Sequence, residues 1–319
     1  MATSTYPTMT GATGLTEADT FIPELWSDEI KATYEKNLVA ANLVRKIKHN
    51  GKKGDTINIP APTRGSANQK AENTAVTLIG NTESNVAVVI DQHWEYSKLI
   101  EDIVGVQALD SMRRFYTEDA GYALATKIDS LILERGKYLG DDNGSGSDWV
   151  HSNSFYVDAS TGLTAYAVDT VTTSDVVTAA GIRAAVKELD DADVPMNDRV
   201  WVIPPSVKST MFGISDFISQ DFVSGRPVEN GNFGSIYGVD LYQTTNCPEV
   251  ETATANTAGD RLIASMMFHR DAIILATQMD VRSQTQYKQE YLADLLTSDV
   301  LFGVHEFQQE AGVVIVVND

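Results

Sequence analysis

The chain has 319 residues, of which 43% are hydrophobic and 21% charged, a composition that suits about two domains or one large one and argues against wholesale disorder. Its 44 acidic and 24 basic side chains leave a net charge of −20, which disfavours a protein whose main task is to grip nucleic acid. Cys247 is the single cysteine, so an intrachain disulfide is excluded. No apolar run is longer than those at 272–276 and 313–317, which are far shorter than the roughly 18 residues of a membrane span.

The N-terminal part of the chain is predicted to be an arm that contains one helix. Residues 1–20 are small and polar and indicate a mobile segment. Apolar side chains then recur at spacings near three and four, at Leu25, Trp26, Ile30, Tyr34 and Leu38. This pattern predicts an amphipathic helix over about residues 23–37, because Pro23 suits a first helical position.

A long β-hairpin is predicted after the arm. Residues 56–59 and 74–79 alternate between apolar and polar side chains as strands do, and polar residues 61–73 lie between them. A further alternating run through residues 86–96 predicts one strand of roughly 40 Å. Residues 50–90 together form an elongated hairpin with too little apolar surface to be stable alone, so we expect it to lie against another surface.

The entrance to this hairpin carries the one local cluster of positive charge in the acidic chain. Its members are Arg45, Lys46, Lys48, Lys52 and Lys53. Three interpretations stay open for this cluster. It is a solvated surface, a contact with an acidic face of a neighbouring copy, or a contact with nucleic acid.

The longest predicted element is a helix over about residues 103–138. Apolar side chains keep a helical spacing at Leu109, Met112, Tyr116, Ala120, Leu124, Ile128 and Leu131. Such a helix would be about 50 Å long. Gly105 and Gly121 each weaken it by up to about 1 kcal/mol, and Gly136 and Gly140 offer C-terminal stops.

The remaining chain predicts a compact α/β module. Residues 140–172 are rich in turns and predict an exposed loop with one or two weak strands. Helices are predicted over 174–190, with Ser174 as the N-cap, and over 205–212. Strands are predicted at 199–203, 239–242, 262–268, 272–276, 281–296, 300–307 and 313–317.

The sequence lacks the common catalytic and phosphate-binding signatures. Neither G-x-x-x-x-G-K-[ST] nor G-x-G-x-x-G occurs. His305 and Glu306 begin an incomplete H-E-x-x-H motif, in which Gln309 replaces the second histidine and the segment is predicted to be a strand. Asp141 begins an incomplete calcium loop, in which Ser152 stands where a bidentate glutamate is required. We therefore predict no catalytic residue, no metal site and no cofactor.

Five stretches give the chain a resemblance to the major capsid (coat) protein of tailed bacteriophages, with the Hong Kong 97 phage-type shell fold. They are residues 21–30 (FIPELWSDEI), 54–60 (GDTINIP), 200–207 (VWVIPPSV), 234–248 (GSIYGVDLYQTTNCP) and 268–272 (FHRDA). An arm, a long hairpin and a long helix make a poor single globule, but they are well suited to a subunit that neighbouring copies cover.

The resemblance implies an α+β fold with four parts. These are an N-terminal arm (1–48), an extended hairpin loop (49–90), a peripheral domain (91–173 and 277–306) with a spine helix at about 103–138, and an α/β axial domain (174–276 and 307–319). These parts are assigned because their predicted elements occur along the chain in the same order as in the family.

The resemblance also implies a structural, non-catalytic function. The chain would self-assemble, as hexamers and pentamers, into the icosahedral shell that encloses the DNA genome of a tailed phage, without strong DNA binding and without a membrane. Assembly would take place in the host bacterial cytoplasm, with a portal and, in some relatives, a cement protein as partners. Because the arm helix begins near Pro23, we expect a separate scaffolding protein rather than a fused scaffolding segment.

The hairpin is expected to lie over a neighbouring subunit. Lys52 and Lys53 at its entrance, and Arg64, Lys70 and Glu72 near its tip, are predicted to lie in or near that contact. Some relatives cross-link a loop lysine to an asparagine, but no matching asparagine can be identified for Lys70, so no cross-link is expected. The alternatives are another phage structural protein, such as a tail or adhesin component, and an acidic-site enzyme.

Overall fold

Three β-sheets form the framework of the described part of the chain. The computed structural model describes residues 39–49, 54–62, 67–70, 72–76, 78, 83–101, 112–140, 152–158, 160–167, 170–172, 175–214, 234–251 and 261–318. The strands are β1 (Arg45–Lys48), β2 (Thr56–Pro62), β3 (Glu83–Val89), β4 (Gln92–Glu101), β5 (Ser154–Asp158), β6 (Gly162–Ala165), β7 (Arg199–Ile203), β8 (Ser235–Ile236), β9 (Val239–Gln243), β10 (Glu249–Glu251), β11 (Leu262–His269), β12 (Ile273–Lys288), β13 (Ala293–Glu306) and β14 (Gly312–Asn318). The α-helices are α1 (Ala40–Leu43), α2 (Met112–Gly136), α3 (Ala179–Asp191) and α4 (Pro205–Met211).

The largest sheet has eight strands in the order β6-β5-β14-β11-β7-β9-β8, with β10 paired to β11. Every residue of β7 and β11 is buried, as continuous apolar runs predict for strands covered on both faces. Helix α3 packs against β14 and β6. The predicted strands at 199–203, 262–268 and 313–317 are confirmed.

The second sheet has four strands in the order β1-β12-β13-β4. Strand β1 pairs in parallel with β12, from Arg45↔Ile274 to Lys48↔Thr277, and the other pairs are antiparallel. Helix α2 packs on β13, β4 and β12. The predicted strand at 300–307 corresponds to the second half of β13. The prediction of one strand at 281–296 is wrong, because residues 289–292 form the turn that joins β12 to β13.

The third sheet is the hairpin of β2 and β3, antiparallel from Thr56↔Val89 to Pro62↔Glu83. The prediction of one continuous strand through residues 86–96 is wrong, because β3 ends at Val89 and the chain then enters β4 of a different sheet. The prediction of a strand at 74–79 is also wrong for residues 74–76 and 78, which have no regular secondary structure. Strand β3 pairs with β2 along its whole length. The edge of β2 that faces β3 is therefore already hydrogen-bonded and cannot pair with residues 74–79.

Helix α2 contains 25 described residues, which corresponds to about 38 Å. It ends at Gly136, one of the two predicted glycine stops and two residues before the predicted end near residue 138, and its predicted start near residue 103 lies outside the described residues. A Cβ at Gly136 would lie 2.7 Å from the Met266 sulfur, so glycine permits a close contact with β11. The buried face of the helix includes Tyr116, Ala120, Leu124, Ile128 and Ile132.

Helix α3 begins later than predicted. Its N-cap is Thr178, whose Oγ1 accepts a hydrogen bond from the Gly181 N–H at 3.1 Å, rather than Ser174, which lies outside the described residues. A Cβ at Gly181 would lie 2.6 Å from Val157 of β5, so the first turn packs closely on the sheet. This packing explains why the helix starts at Ala179.

Two segments pair differently from the predicted domain division. Strand β5, from the loop assigned to the peripheral domain, pairs in parallel with β14, from Ser154↔Val314 to Tyr156↔Val316. Residues 273–276, assigned to the axial domain, begin β12 of the four-stranded sheet. The hydrogen bonding therefore attaches each segment to the sheet of the other predicted domain, while the division itself stays a prediction.

Two further predictions lie outside the described residues. They are the arm helix at 23–37 and the incomplete calcium loop, except for its last position, Ser152. Of the described helices, none is long and apolar enough to cross a membrane.

Candidate intersubunit contact surface

The base of the β2–β3 hairpin is buried in the body of the subunit. Val88 is fully buried and Ile90 nearly so, and both pack against Ile274 and Ala276 of β12. The Ile90 N–H donates to the Asp55 carbonyl oxygen at 2.7 Å and closes the hairpin base. These contacts fix the direction in which the hairpin leaves the four-stranded sheet.

Gly303 of β13 makes room for this base. A Cβ at that position would lie 2.2 Å from the Val89 carbonyl oxygen and 2.9 Å from the Ile90 Cα. Both atoms belong to the backbone, so they cannot move aside as a flexible side chain could. Glycine is therefore the residue that lets the hairpin base lie directly on β13.

The described residues near the hairpin tip are exposed. Lys70 and Glu72, two of the five predicted contact residues, are exposed, while Lys52, Lys53 and Arg64 lie outside the described residues. Val76 and Leu78 are large apolar side chains with exposed fractions of 68% and 90%. Sequence reasoning missed these two residues because their alternation indicated a strand with one buried face.

A polar trio ties together three strands of the four-stranded sheet. Asp299 of β13 accepts two hydrogen bonds from Arg282 of β12, at 2.7 and 2.9 Å. His93 of β4 lies with its Nε2 3.0 Å from the Asp299 Oδ2. Burial raises the pKa of the Asp299 carboxyl, but the hydrogen bonds from Arg282 and His93 outweigh burial and hold this pKa below its ordinary value.

Replacing Asp299 by asparagine is expected to lower the free energy of unfolding of the isolated subunit by about 1 kcal/mol at neutral pH, since Arg282 is half-exposed. Because the folded-state pKa lies below the ordinary value of 3.8, this contribution is present above that value and is lost as the pH falls through the folded-state pKa. Denaturant unfolding of wild type and variant from neutral to acidic pH measures the difference. A difference that does not shrink in acid would contradict this account.

Helix α2 is attached to β4 by polar and cation–π contacts. The Tyr96 hydroxyl donates to Asp119 at 2.6 Å, and burial together with this hydrogen bond raises the pKa of Tyr96. The Lys127 ammonium lies 4.2 Å from the centre of the Trp94 ring, a contact worth about 0.5–1 kcal/mol at an exposed site. These contacts join the long helix to the sheet.

Three of the described histidines hydrogen-bond to protein groups. His269 Nδ1 accepts the Asp271 N–H at 3.2 Å, and His93 belongs to the polar trio. His305 and Glu306 end β13, which confirms that the incomplete H-E-x-x-H motif begins in a strand. In the described part of the chain, no group of three or more His, Cys, Asp or Glu side chains is placed to hold a metal ion.

Comparison with solved structures finds the same fold in virus shells. The cyanophage Pam1 capsid asymmetric unit matches 100% of this chain and 98% of that chain, with a TM-score of 0.69 and 12% identity. A Mycobacterium phage Che8 structure matches 87% of this chain and 90% of that chain, with a TM-score of 0.67 and 20% identity. A virus-like particle from Pyrococcus furiosus matches 92% and 98%, with a TM-score of 0.52 and 11% identity.

The sequence comparisons are consistent with this likeness. No curated protein matches the chain, but the family model described as phage capsid protein matches residues 24–319. The mixed helix and sheet fold and the resemblance to phage coat proteins are confirmed, and this finding favours a shell subunit over a tail component or an acidic-site enzyme. Because the match spans nearly the whole chain, the chain belongs to the phage capsid protein family and is a non-catalytic structural subunit of the capsid.

Proposed function

We propose that this chain forms hexamers and pentamers of an icosahedral shell around phage DNA, and that the hairpin of each copy lies over a neighbouring copy. The observation that supports the hairpin contact is the contrast between its two ends. The base is buried in the body through Val88 and Ile90, whereas the tip exposes Val76 and Leu78. A surface that exposes such side chains in one copy is stabilised when another copy covers it.

The contact would combine apolar and charged side chains. Burying a Val or Leu side chain contributes about 1.5–3 kcal/mol, whereas an exposed ion pair contributes about 0–1 kcal/mol. We therefore assign most of the contact energy to Val76 and Leu78. Lys52, Lys53, Arg64, Lys70 and Glu72 would lie in or near the contact and align the two copies.

The four-part division is proposed with one adjustment to its bounds. The arm (1–48) and the extended loop (49–90) stay as predicted. The peripheral domain would be built on the four-stranded sheet and α2, and the axial domain on the eight-stranded sheet. On this basis β5 and β6 would belong to the axial domain, and all of β12 to the peripheral domain.

The other proposed partners follow from the likeness to phage coat proteins. They are a separate scaffolding protein and a portal, with assembly in the host bacterial cytoplasm; whether a cement protein also binds stays open. A shell whose subunits each carry a net charge of −20 would enclose DNA without binding it strongly, because both are anionic. Sub-micromolar binding of the free subunit to duplex DNA at physiological salt would contradict that part of the proposal.

Size-exclusion chromatography and negative-stain imaging of the purified chain test the assembly. Closed shells, or ring-shaped hexamers and pentamers, are expected as the protein concentration rises. A chain that stays monomeric at all concentrations, alone and with the scaffolding protein of its phage, would overturn the proposal. Rings of another symmetry would overturn the hexamer and pentamer assignment while leaving self-association intact.

A further inference from the structure

A buried carboxylate on the long helix binds the last part of the N-terminal arm, residues 39–48. Asp129 lies on α2 and is 2% exposed. Its Oδ2 accepts the Val39 N–H at 2.7 Å, and its Oδ1 accepts the Ala41 N–H at 3.1 Å. Both oxygens of one side chain are therefore used to hold a segment about 90 residues earlier in the chain.

Helix α2 itself does not require an acidic residue at this position. Asp is a poorer helix former than Ala or Leu, and a buried carboxylate is costly unless its oxygens are hydrogen-bonded. Burial raises the pKa of Asp129, although the hydrogen bonds from the Val39 and Ala41 amides act in the opposite direction. The contact with the N-terminal segment is what accounts for a carboxylate here.

The N-terminal segment needs this partner. Helix α1 begins after Val39, which has no side-chain oxygen to cap it, so its first N–H groups would lack a partner within the helix. Asp129 supplies both acceptors from α2. The segment is then buried on the helix through Ala40, Ala41, Leu43 and Val44.

The same segment continues directly to the four-stranded sheet. Strand β1 pairs with β12 immediately after α1. The Arg45 guanidinium lies 3.8 Å from the Asp271 carboxylate and 5.6 Å from the centre of the Phe307 ring. Residues 39–48 thus connect α2 to the edge of the sheet. Asp129 binds the N-terminal end of this connection, at Val39 and Ala41.

We propose that Asp129 is a positioning residue, which fixes the point and direction at which residues 1–38 of the N-terminal arm join the body of the subunit. Every copy in a shell would then have the same starting point for residues 1–38. This consequence for assembly rests on the proposed function, but the positioning itself is a property of one subunit. The two can therefore be tested separately.

The sharpest variant is Asp129→Asn, because asparagine has the same size but accepts hydrogen bonds at one oxygen only. Its NH₂ group would face an amide N–H, donor against donor. Asp129→Ala removes both acceptors and serves as the stronger second variant. Asp299→Asn is the matched control, since Asp299 is also a buried carboxylate, 7% exposed, and it belongs to the polar trio.

Hydrogen exchange of the isolated subunit, read by mass spectrometry, is the first measurement. Amides 39–44 should exchange about tenfold faster or more in Asp129→Asn, the order of effect expected when a charge-assisted hydrogen bond is lost. Amides in the middle of α2 should stay protected, and Asp299→Asn should speed exchange of amides 39–44 by no more than about fivefold, the effect of its own loss of about 1 kcal/mol in global stability. Unchanged exchange in Asp129→Asn, or an equal increase in the control, would overturn the positioning role.

Shell formation is the second measurement. Asp129→Asn should give particles of abnormal size, whereas Asp299→Asn should give normal ones. Faster exchange with normal shells would overturn the link to assembly. If wild type formed no shells, the proposed function would fail while the exchange result still decided the role of Asp129. If neither Asp129→Asn nor Asp129→Ala folded, the exchange of amides 39 and 41 in wild type would decide. Exchange as fast as in an unprotected chain would overturn the proposal, and slow exchange would support it.

Discussion

Replacing residues 63–82 by an Asn-Gly turn is expected to give a folded subunit that does not form shells of normal size. Pro62 and Glu83 are the last paired residues of the hairpin, so a two-residue turn can join the strands in register. The base contacts of Val88 and Ile90 are left intact. The replacement removes Arg64, Lys70 and Glu72 together with both exposed apolar tip residues.

A milder variant separates the tip chemistry from the hairpin length. Val76→Ser combined with Leu78→Ser keeps every residue of the loop, and because both side chains are exposed in the subunit it should leave the melting temperature unchanged. Light scattering should show that assembly needs a higher protein concentration than in wild type. Shells of normal size and stability from the shortened hairpin would contradict the intersubunit contact.

Gly303→Ala is expected to lower the free energy of unfolding of the isolated subunit more than the other substitutions considered. The added methyl group would meet the backbone of Val89 and Ile90, so the hairpin base must move off β13. The expected loss is about 3 kcal/mol in the free energy of unfolding, the upper part of the usual range for overpacking. Urea unfolding of the isolated subunit measures this loss.

Gly213→Ala is the matched control for this substitution. A Cβ there would lie 3.2 Å from the Thr210 carbonyl oxygen, a contact that a shift of a few tenths of an ångström relieves. Its loss should therefore stay below about 1 kcal/mol, as for most substitutions away from the core. Equal losses for the two variants would show that Gly303 is not needed for close packing of the hairpin base.

The features that sequence predicted well are those with strong local patterns. Strands β7 and β14 are continuous apolar runs, and α2 has a clear helical spacing that ends within two residues of the predicted position, at one of the two candidate glycine stops. The apolar spacing of α3 was equally clear. The first residue of α3 was not clear from the sequence, since Ser174 and Thr178 are both good N-cap residues. Which of them caps the helix depends on how its first turn packs against Val157.

Features that depend on distant partners could not be predicted. The alternation through residues 86–96 continues across Ile90, so no local signal marks the change from one sheet to another. Asp129 is unremarkable in sequence, because Val39 lies 90 residues away. Asp299 is equally so, because His93 lies 206 residues away and Arg282, although only 17 residues away, is brought to it by the pairing of β12 with β13. The exposed tip was missed for the same reason, since an apolar alternation does not reveal whether a partner strand exists.

The position of β14 between β5 and β11 has a consequence for biosynthesis. Strands β5 and β6 are made about 160 residues before β14, and until residues 312–318 emerge from the ribosome they have no bridge to β11 and β7. A nascent chain that lacks β14 therefore carries two sheet fragments, one with β5 and β6 and one with β11 and β7. Their unpaired edges are prone to pair with other chains. Closure of the eight-stranded sheet then depends on contacts that are distant in sequence, and such contacts form slowly. Chaperone capture of the nascent chain should accordingly be strongest before β14 is complete and fall once it is inserted.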